Sequence, residues 1–308
     1  MDSLKQAVRT YAAGHANRDG LAITSVPGLR MMCVESPSGD LHSIYRPLVC
    51  LILQGAKRMI VGQDEYVFSA GQSVIVSAEM PVVGRIVQAS PTEPYLAIAV
   101  ELETTILREV AAQLGSVRAP LPSGMRTLFA TDTEEATLDC ATRLIRLLDR
   151  PEATPLLRPG ILRELHYWLL SGRHGPNLRA LADPGSHGSR LGAAIAILRA
   201  EYRSRIPVER LAEAAAMSPT TFHKHFKHLT SLTPGQYHKR LRLIEARSLM
   251  LNKGFSASNA AFEVGYESVS QFTREYRRLF QTPPKRDALR VRDSSQSVRI
   301  HPSDNAMG

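Results

Sequence analysis

The chain has 308 residues, of which 44% are hydrophobic and 22% charged, and its formal net charge is +9 at pH 7. This composition is typical of a soluble protein with room for two domains, and no apolar run reaches the roughly 18 residues that a transmembrane helix needs. The three cysteines, Cys33, Cys50 and Cys140, have no metal-ligand spacing. An odd number of cysteines without a disulfide framework indicates a reducing cytoplasm.

The first half of the chain is expected to consist mainly of short β-strands. Before them, Leu4, Val8, Tyr11 and Ala12 share one face of a short helix, a pattern unlike the apolar core of a signal peptide. Residues 48–102 then contain aliphatic runs about ten residues apart, separated by glycine and proline. Such spacing is typical of a β-sandwich or barrel.

Two helices and a linker are predicted after the strands. Thr133 is positioned to cap the first helix, which ends at Pro151. The second is expected to begin near Pro159 and to end at Gly172. Residues 175–190 are rich in glycine, proline and serine, so we interpret them as an interdomain linker.

The segment from residue 191 to residue 290 contains one helix-turn-helix pattern twice, fifty residues apart. Serine, aromatic and cationic positions all recur. The matched pairs are Ser218 with Ser268, Phe222 with Phe272, Lys224 with Arg274, Phe226 with Tyr276, and Lys227 with Arg277. The aromatic residues share one helix face and the cations lie on another, so such a helix can pack on a core and still enter a DNA groove.

A long helix and a localised charge support this interpretation. The helix is predicted from Pro234 to Leu251, roughly 27 Å, and successive major-groove faces are about 34 Å apart. Residues 191–290 contain 17 Lys and Arg against 8 Asp and Glu, whereas residues 1–190 contain 19 of each and residues 291–308 two of each. A basic excess confined to one segment predicts a polyanion partner, here double-stranded DNA.

The repeated segment resembles the DNA-binding domain of the AraC/XylS family of transcription regulators. The motifs that carry this resemblance are residues 215–222 with 226–227, residues 261–268 with 272 and 276, and residues 280–284. One position departs from the family pattern, because Ser231 stands where glycine is usual. The N-terminal half resembles the cupin-type N-terminal domain of one branch of this family over roughly residues 20–170, through residues 51–58, 71–72, 81–82 and 93–97.

The resemblance implies a two-domain α+β chain. Residues 1–174 are expected to form a cupin-like β-barrel or jelly roll with flanking helices, for effector binding or dimerisation. Residues 175–190 are the linker, and residues 191–290 form an all-α DNA-binding domain with two helix-turn-helix motifs joined by a long helix. Residues 291–308 lack apolar periodicity and are predicted to be a disordered tail.

The function implied is that of a cytoplasmic, sequence-specific DNA-binding transcription regulator, in the family's usual role an activator. It is expected to respond to a small-molecule effector in the N-terminal domain, to contact RNA polymerase, and to have no membrane partner. The residues leave open the effector and its ligands, the operator, and the choice between activation and repression.

The resemblance also implies which side chains contact DNA. Base edges are assigned to Thr220, His223, Lys224, Ser270, Gln271, Thr273 and Arg274, and phosphates to Ser218, Lys227, Ser268 and Arg277. Arg274 is the leading base-reading candidate because arginine binds guanine bidentately. The alternatives are N-capping for the two serines, a capping box for Gln271, and an ion pair with Glu275 for Arg274.

A homodimer held by the N-terminal half is predicted, through a helix among residues 133–172. Its leucines exceed what one helix face can bury inside a small domain, and packing on the barrel is the alternative. The leucines in question are Leu144, Leu147 and Leu148.

Three other functions remain as alternatives. A metal-dependent cupin enzyme fused to a DNA-binding domain would need several inward-pointing histidines and a carboxylate, but there is no histidine between Ser43 and Leu165. We therefore predict no enzyme activity, no cofactor and no metal. The remaining alternatives are an effector-independent architectural DNA binder and a redox or electrophile sensor at Cys50.

Overall fold

The computed structural model describes residues 1–115, 127–183 and 185–289, which divide into two compact units. The first unit comprises Met1–Ala196 and Val208–Pro234, and the second comprises Ile197–Pro207 and the chain from Gly235 onward. None of the helices in these ranges is long and apolar enough to cross a membrane. The predicted disordered tail, residues 291–308, lies outside the described residues.

Ten strands in the described part of the first unit form two antiparallel sheets. They are β1 (Leu21–Ile23), β2 (Leu29–Val34), β3 (Leu41–Tyr45), β4 (Leu48–Gln54), β5 (Ala56–Val61), β6 (Asp64–Ser69), β7 (Gln72–Val76), β8 (Met80–Gln88), β9 (Tyr95–Glu101) and β10 (Leu128–Asp132). The larger sheet has the order β1-β2-β9-β4-β7-β10, and the smaller one has the order β3-β8-β5-β6. The strands predicted over residues 48–102 and the sandwich class are confirmed.

Five helices accompany the two sheets. They are α1 (Asp2–His15), α2 (Thr104–Gln113), α3 (Glu135–Arg146), α4 (Thr154–Ser171) and α5 (Gly175–Ala182). Their apolar residues share one core with alternate residues of the larger sheet, such as Val49 and Leu51 of β4 and Ile98 of β9. Because side chains alternate along a strand, the residues between these, such as Cys50, point to the opposite face of that sheet.

Two helix starts differ from the predictions. Thr133 does not cap α3, whose N-cap is Glu134, because the Thr133 hydroxyl instead accepts a hydrogen bond from Ser73 Oγ at 2.9 Å. Helix α4 begins at Thr154, so Pro159 lies inside the helix. A 3₁₀ turn over Pro151–Ala153 leads directly into α4, and the helix therefore begins earlier in the chain than predicted. The predicted end at Gly172 is confirmed.

The N-terminal core extends beyond the predicted boundary at residue 174. The segment interpreted as a linker contains α5 and the start of the next helix, and Leu178 and Ala182 of α5 are buried in the core of the first unit. Leu144 and Leu147 are buried in the same core, and Leu148 packs against it. These leucines therefore pack inside the unit, the alternative given for them, and the homodimer through a helix among residues 133–172 stays a prediction.

The repeated segment forms six helices and a final helical stretch over residues 284–289. The helices are α6 (His187–Ala200), α7 (Val208–Ala214), α8 (Pro219–Thr230), α9 (Pro234–Lys253), α10 (Ala257–Glu263) and α11 (Val269–Phe280). Both predicted helix-turn-helix motifs are present, as α7–α8 and α10–α11. Helix α9 has 20 residues, or roughly 30 Å, slightly less than the roughly 34 Å between successive major-groove faces of B-DNA.

One contact within the first unit joins the sandwich to the end of α8. Gly62, in the turn after β5, has a φ of +64°, and a Cβ at this position would lie 2.5 Å from the Cβ of Ser231. Glycine is therefore required both by the left-handed backbone and by the close approach of Ser231.

Candidate nucleic-acid interface

Both recognition helices, α8 and α11, begin with the predicted serine caps. Ser218 Oγ accepts a hydrogen bond from the backbone N–H of Thr221, and Ser268 Oγ accepts one from that of Gln271, each at 3.3 Å. These bonds satisfy backbone donors that the first helical turn leaves free. The capping role of the serines is therefore observed, and their contact with phosphate stays a prediction.

Both helices also end alike, at a non-glycine residue in the left-handed conformation. Ser231 follows α8 with a φ of 59°, and Gln281 follows α11 with a φ of 56°. The serine at the position where the family usually has glycine keeps the turn geometry that glycine would adopt. It does so at a conformational cost, since the left-handed region is unfavourable for residues with a Cβ.

The aromatic residues of the two helices face inward. Phe222 and Phe226 of α8, and Phe272 and Tyr276 of α11, all have 0% exposure. This confirms that they are core residues and not platforms on which bases stack. The burial fixes the rotation of each helix about its axis, so the opposite face of each helix points to solvent.

On α8 the predicted DNA-contacting side chains share that solvent face. Thr220, His223, Lys224 and Lys227 are exposed, and their spacing of three and four residues places them on one side of a helix. The face carries the two lysine charges together with donor and acceptor groups suited to base edges and phosphates.

On α11 the equivalent face has one difference. Ser270, Gln271, Arg274 and Arg277 are exposed, but Thr273 is half-buried and its hydroxyl donates to the carbonyl of Val269 at 2.8 Å. The Thr273 methyl group remains available for an apolar contact. Thr273 is thus the one predicted base contact whose hydroxyl is engaged inside its own helix.

Arg274 is available to a ligand because its proposed ion-pair partner is occupied. Glu275 accepts hydrogen bonds from Lys239 Nζ and Tyr266 Oη, each at 2.8 Å. Across the described ranges, Arg274 has neither an ion pair nor a hydrogen bond. The side-chain amide of Gln271 points to Glu275, at 3.4 Å, and not back to Ser268, so the capping box is absent.

An arginine from the preceding helix holds the turn of each motif. Arg242 of α9 donates to the carbonyl of Gly265 at 3.3 Å and to the carbonyl of Tyr202 at 2.5 Å. Arg190 of α6 donates to the carbonyl of Ala216 at 3.5 Å. The sequence analysis missed both arginines. No local pattern marks them, because the carbonyls that they bind come close only after folding.

The C-terminal end of α11 is fixed by a buried polar group. Asp287 accepts hydrogen bonds from Arg247 Nε at 2.9 Å and from Tyr276 Oη at 2.7 Å. Burial, and then the bond to Asp287, raise the pKa of Tyr276 far above its ordinary value, so the phenol stays protonated and keeps donating. This network anchors the closing segment of the second motif and was not predicted.

Comparison with known proteins now identifies the two halves. The family described as the AraC-type transcriptional regulator N-terminus matches residues 25–177, and a helix-turn-helix domain matches residues 211–288. The chain belongs to the AraC/XylS family. The second match covers the whole of α8 and α11, the helices that carry the exposed cationic faces.

Individual relatives support the same assignment. The HTH-type transcriptional activator RhaS of Escherichia fergusonii is 30% identical over 162 residues, which is 53% of this chain and 58% of the relative. RhaS of Citrobacter koseri is 32% identical over 109 residues, or 35% of this chain and 39% of the relative. The chain therefore spans less than two thirds of the length of the curated relatives it matches.

A solved structure shares the fold of this AraC/XylS member. ToxT from Vibrio cholerae, in its form bound to an unsaturated fatty acid, superposes with a TM-score of 0.59 at 10% identity, covering 85% of this chain and 94% of ToxT. At this identity the similarity concerns the fold alone. It confirms the combination of an antiparallel β-sandwich with a helical domain.

Proposed function

We propose that the protein is a sequence-specific DNA-binding transcription regulator that acts in the cytoplasm. The observation that carries this proposal is the pair of exposed faces on α8 and α11, each with two cations opposite a fully buried aromatic stripe. Each helix can enter a major groove while its motif stays folded, as in other helix-turn-helix proteins. The proposed base contacts are Thr220, His223, Lys224, Ser270, Gln271, Thr273 and Arg274, and the proposed phosphate contacts are Ser218, Lys227, Ser268 and Arg277.

The relatives support a proposal for the direction and control of regulation. RhaS is named as a transcriptional activator, so we propose activation, with a contact to RNA polymerase. ToxT is described with a bound unsaturated fatty acid, which supports a small-molecule effector in the N-terminal sandwich. We propose no catalytic role, because the curated relatives named above are regulators.

A homodimer is proposed through α4 in place of the buried leucines of α3. Helix α4 exposes Leu156 at 80%, Leu157 at 56% and Tyr167 at 42%, and exposed apolar residues close together favour association. Light scattering of the full chain should give a dimer at tens of micromolar, and the variant Leu156→Asp/Leu157→Asp should be a monomer. Ile23→Asp is the matched control, since Ile23 is 71% exposed on β1. A monomeric wild-type protein would contradict this proposal.

Selection of genomic fragments by the full-length protein, followed by footprinting, tests the function. We expect a discrete protected site that covers two adjacent major-groove faces for each DNA-binding domain, about 34 Å apart. Equal binding to every duplex at physiological salt would contradict sequence-specific regulation. A footprint that no cellular small-molecule fraction alters would favour the architectural DNA binder.

A further inference from the structure

A lysine is buried between the two sheets of the sandwich. Lys57 is 6% exposed, and it alternates on β5 with the buried residues Met59 and Val61, which places it on the inner face. Its Nζ donates to Tyr45 Oη of β3 at 2.7 Å. A Cβ at Gly84 of β8 would lie 2.7 Å from Lys57 Cε, so the lysine occupies space that only a glycine leaves.

This buried ammonium has no counter-ion. Among the residues that the structure describes, no carboxylate lies within ion-pair distance of Lys57, and Tyr45 is its hydrogen-bond partner. Burial acts to lower the pKa of Lys57, but Tyr45 and Cys50 act more strongly in the opposite direction, and the net pKa lies above its ordinary value. A charged group kept inside a protein normally has a partner of opposite charge.

The larger sheet, which faces Lys57, contributes a tyrosine hydroxyl group that has no hydrogen-bond partner. Tyr95 of β9 is 0% exposed, and its hydroxyl is buried without a partner. Burial, and then Cys50 and Tyr45, raise the pKa of Tyr95 well above its ordinary value, so the phenol remains a donor. Buried hydroxyl groups without partners are uncommon in folded proteins and need an explanation.

Two side chains beside these groups, those of Cys50 and Tyr45, are only partly buried. Cys50 is in the middle of β4, with strands hydrogen-bonded on both sides, and alternates with residues that pack on the helices, so it faces the second sheet. It is nevertheless only half-buried. Tyr45 is half-buried as well and lies at the end of β3, an edge strand of the smaller sheet.

The charge and hydrogen-bond donors of Lys57, Tyr95 and Tyr45 indicate which class of ligand would fit. Lys57 has two further N–H donors, the Tyr95 hydroxyl is a donor, and the Tyr45 hydroxyl can donate while it accepts from Lys57. One positive charge and several donors match a single carboxylate, which is an acceptor only. The other inward-facing residues nearby, such as Met59 and Ile86, are apolar and buried, and they suit an apolar body.

We propose that the interior of the sandwich binds an organic monocarboxylate with an apolar body, whose carboxylate pairs with Lys57 and accepts a hydrogen bond from Tyr95. The site is the effector site of the proposed function, and the proposal rests on that function. Cys50, which lies beside this site, does not resemble a sensor thiol, because burial outweighs the effect of Lys57 and raises the pKa of Cys50.

Calorimetric titration of the full-length protein with octanoate and with phenylacetate tests the proposal. Octan-1-ol and 2-phenylethanol are the matched neutral probes. We expect at least one acid to bind, at least tenfold more tightly than its alcohol. Lys57→Met should reduce that affinity at least tenfold, and Tyr95→Phe about threefold. Failure of both acids to bind, or equal affinity for the Lys57→Met variant, would overturn the proposal.

A second measurement does not depend on the choice of acid. In the absence of ligand, Lys57→Met removes an unpaired buried charge and should raise the melting temperature, whereas a lysine with a purely structural role would give a fall. Operator binding of the wild-type chain distinguishes a failure of the ligand assignment from a failure of the proposed function. If the wild-type chain binds an operator but no acid, only the ligand assignment fails. If it binds no operator, the proposed function fails.

Discussion

The two helix-turn-helix motifs share one design and differ in the chemistry that holds it together. In both, serine caps the recognition helix, two aromatic residues anchor it, and an arginine from the preceding helix binds the turn carbonyl. In the second motif Lys239 pairs with Glu275 at 2.8 Å. The equivalent residues of the first motif are His187 and His225, whose rings stack at 4.0 Å. In the second motif the recognition helix is thus held to the preceding helix by an ion pair. In the first motif it is held by two stacked, titratable histidine rings.

The turns differ as well. Gly265 and Ala216 occupy the same place, since each N–H bonds to the carbonyl three residues earlier in its motif, Phe262 or Glu213. Both backbones are left-handed, with φ of 85° at Gly265 and 49° at Ala216. Only the second motif has the residue that suits this conformation. The comparison shows that the same turn can be formed by glycine or by alanine. The backbone of the first motif, which has alanine, is the more strained of the two.

The largest effect is expected from Gly265→Ala. A Cβ there would lie 1.9 Å from the carbonyl oxygen of Arg203, and the left-handed backbone adds its own cost. We expect a loss of roughly 3 kcal/mol in the unfolding free energy of the second motif, measured by urea unfolding or hydrogen exchange. A change below about 1 kcal/mol would mean that the turn can relax away from Arg203.

Arg274→Ala and Lys227→Ala are expected to weaken DNA binding in different ways. Loss of Arg274 in the second motif should cost roughly 1–3 kcal/mol and relax specificity at one base pair. Loss of Lys227 in the first motif should weaken all sequences alike and lower the salt slope by about 1. Arg173→Ala, which removes an exposed charge outside the basic segment, is the control. Equal and sequence-independent losses for both variants would show that Arg274 does not read a base.

The paired histidines should make the first motif sensitive to pH. Partial burial, and then the charges of His187 and Lys224, lower the pKa of His225 below 6.5, so folding favours the neutral ring. The contribution of His225 to the free energy of unfolding is fully present above pH 6.5. It falls as the pH drops through that value, because the unfolded chain then binds the proton more readily than the folded chain.

The second motif depends on pH in a different range. Burial alone would raise the pKa of Glu275, but its bonds to Lys239 and Tyr266 bring it below 4.5, and stability is lost only as the pH falls below that value.

The variant His187→Lys/His225→Glu gives the first motif the pair found in the second. Urea midpoints at pH 7.5 and pH 5.5 should move closer together than in the wild type. A residual shift is expected, because burial also lowers the pKa of His166 and His238. If the double variant lost as much stability on acidification as the wild type, the stacked histidines would not be responsible.

The smallest effect is expected from Ala216→Gly, the reverse of the first substitution. Glycine relieves the left-handed strain but increases the freedom of the unfolded chain, so we expect a gain of about 0.5 kcal/mol. Differential scanning calorimetry of the full chain detects it as a small rise of one transition. A clear loss of stability would show that the Ala216 methyl group contributes packing that outweighs its strain.

The sequence predicted what depends on strong local periodicity and left out what depends on distant partners. Helices α8 and α11 and their buried aromatic residues follow from one apolar stripe with a clear period. Strands β1 to β3 were missed because β1 has three residues and β3 is half-buried throughout, so neither shows a continuous or alternating apolar pattern. The role of Arg242 depends on carbonyls that come together only after folding. Lys57 was noticed as part of a motif, but its burial depends on the missing side chain of Gly84 on another strand.

The contact between Gly62 and Ser231 has a mechanical consequence. Lys57 and Gly62 are five residues apart along β5 and its turn, about 17 Å, and a hydrogen-bonded strand is stiff over that length. Gly62 has no side chain that could yield, and Ser231 holds a left-handed backbone with little torsional slack. A side chain at Gly62 would therefore have to displace either the turn after β5 or the residue that ends α8.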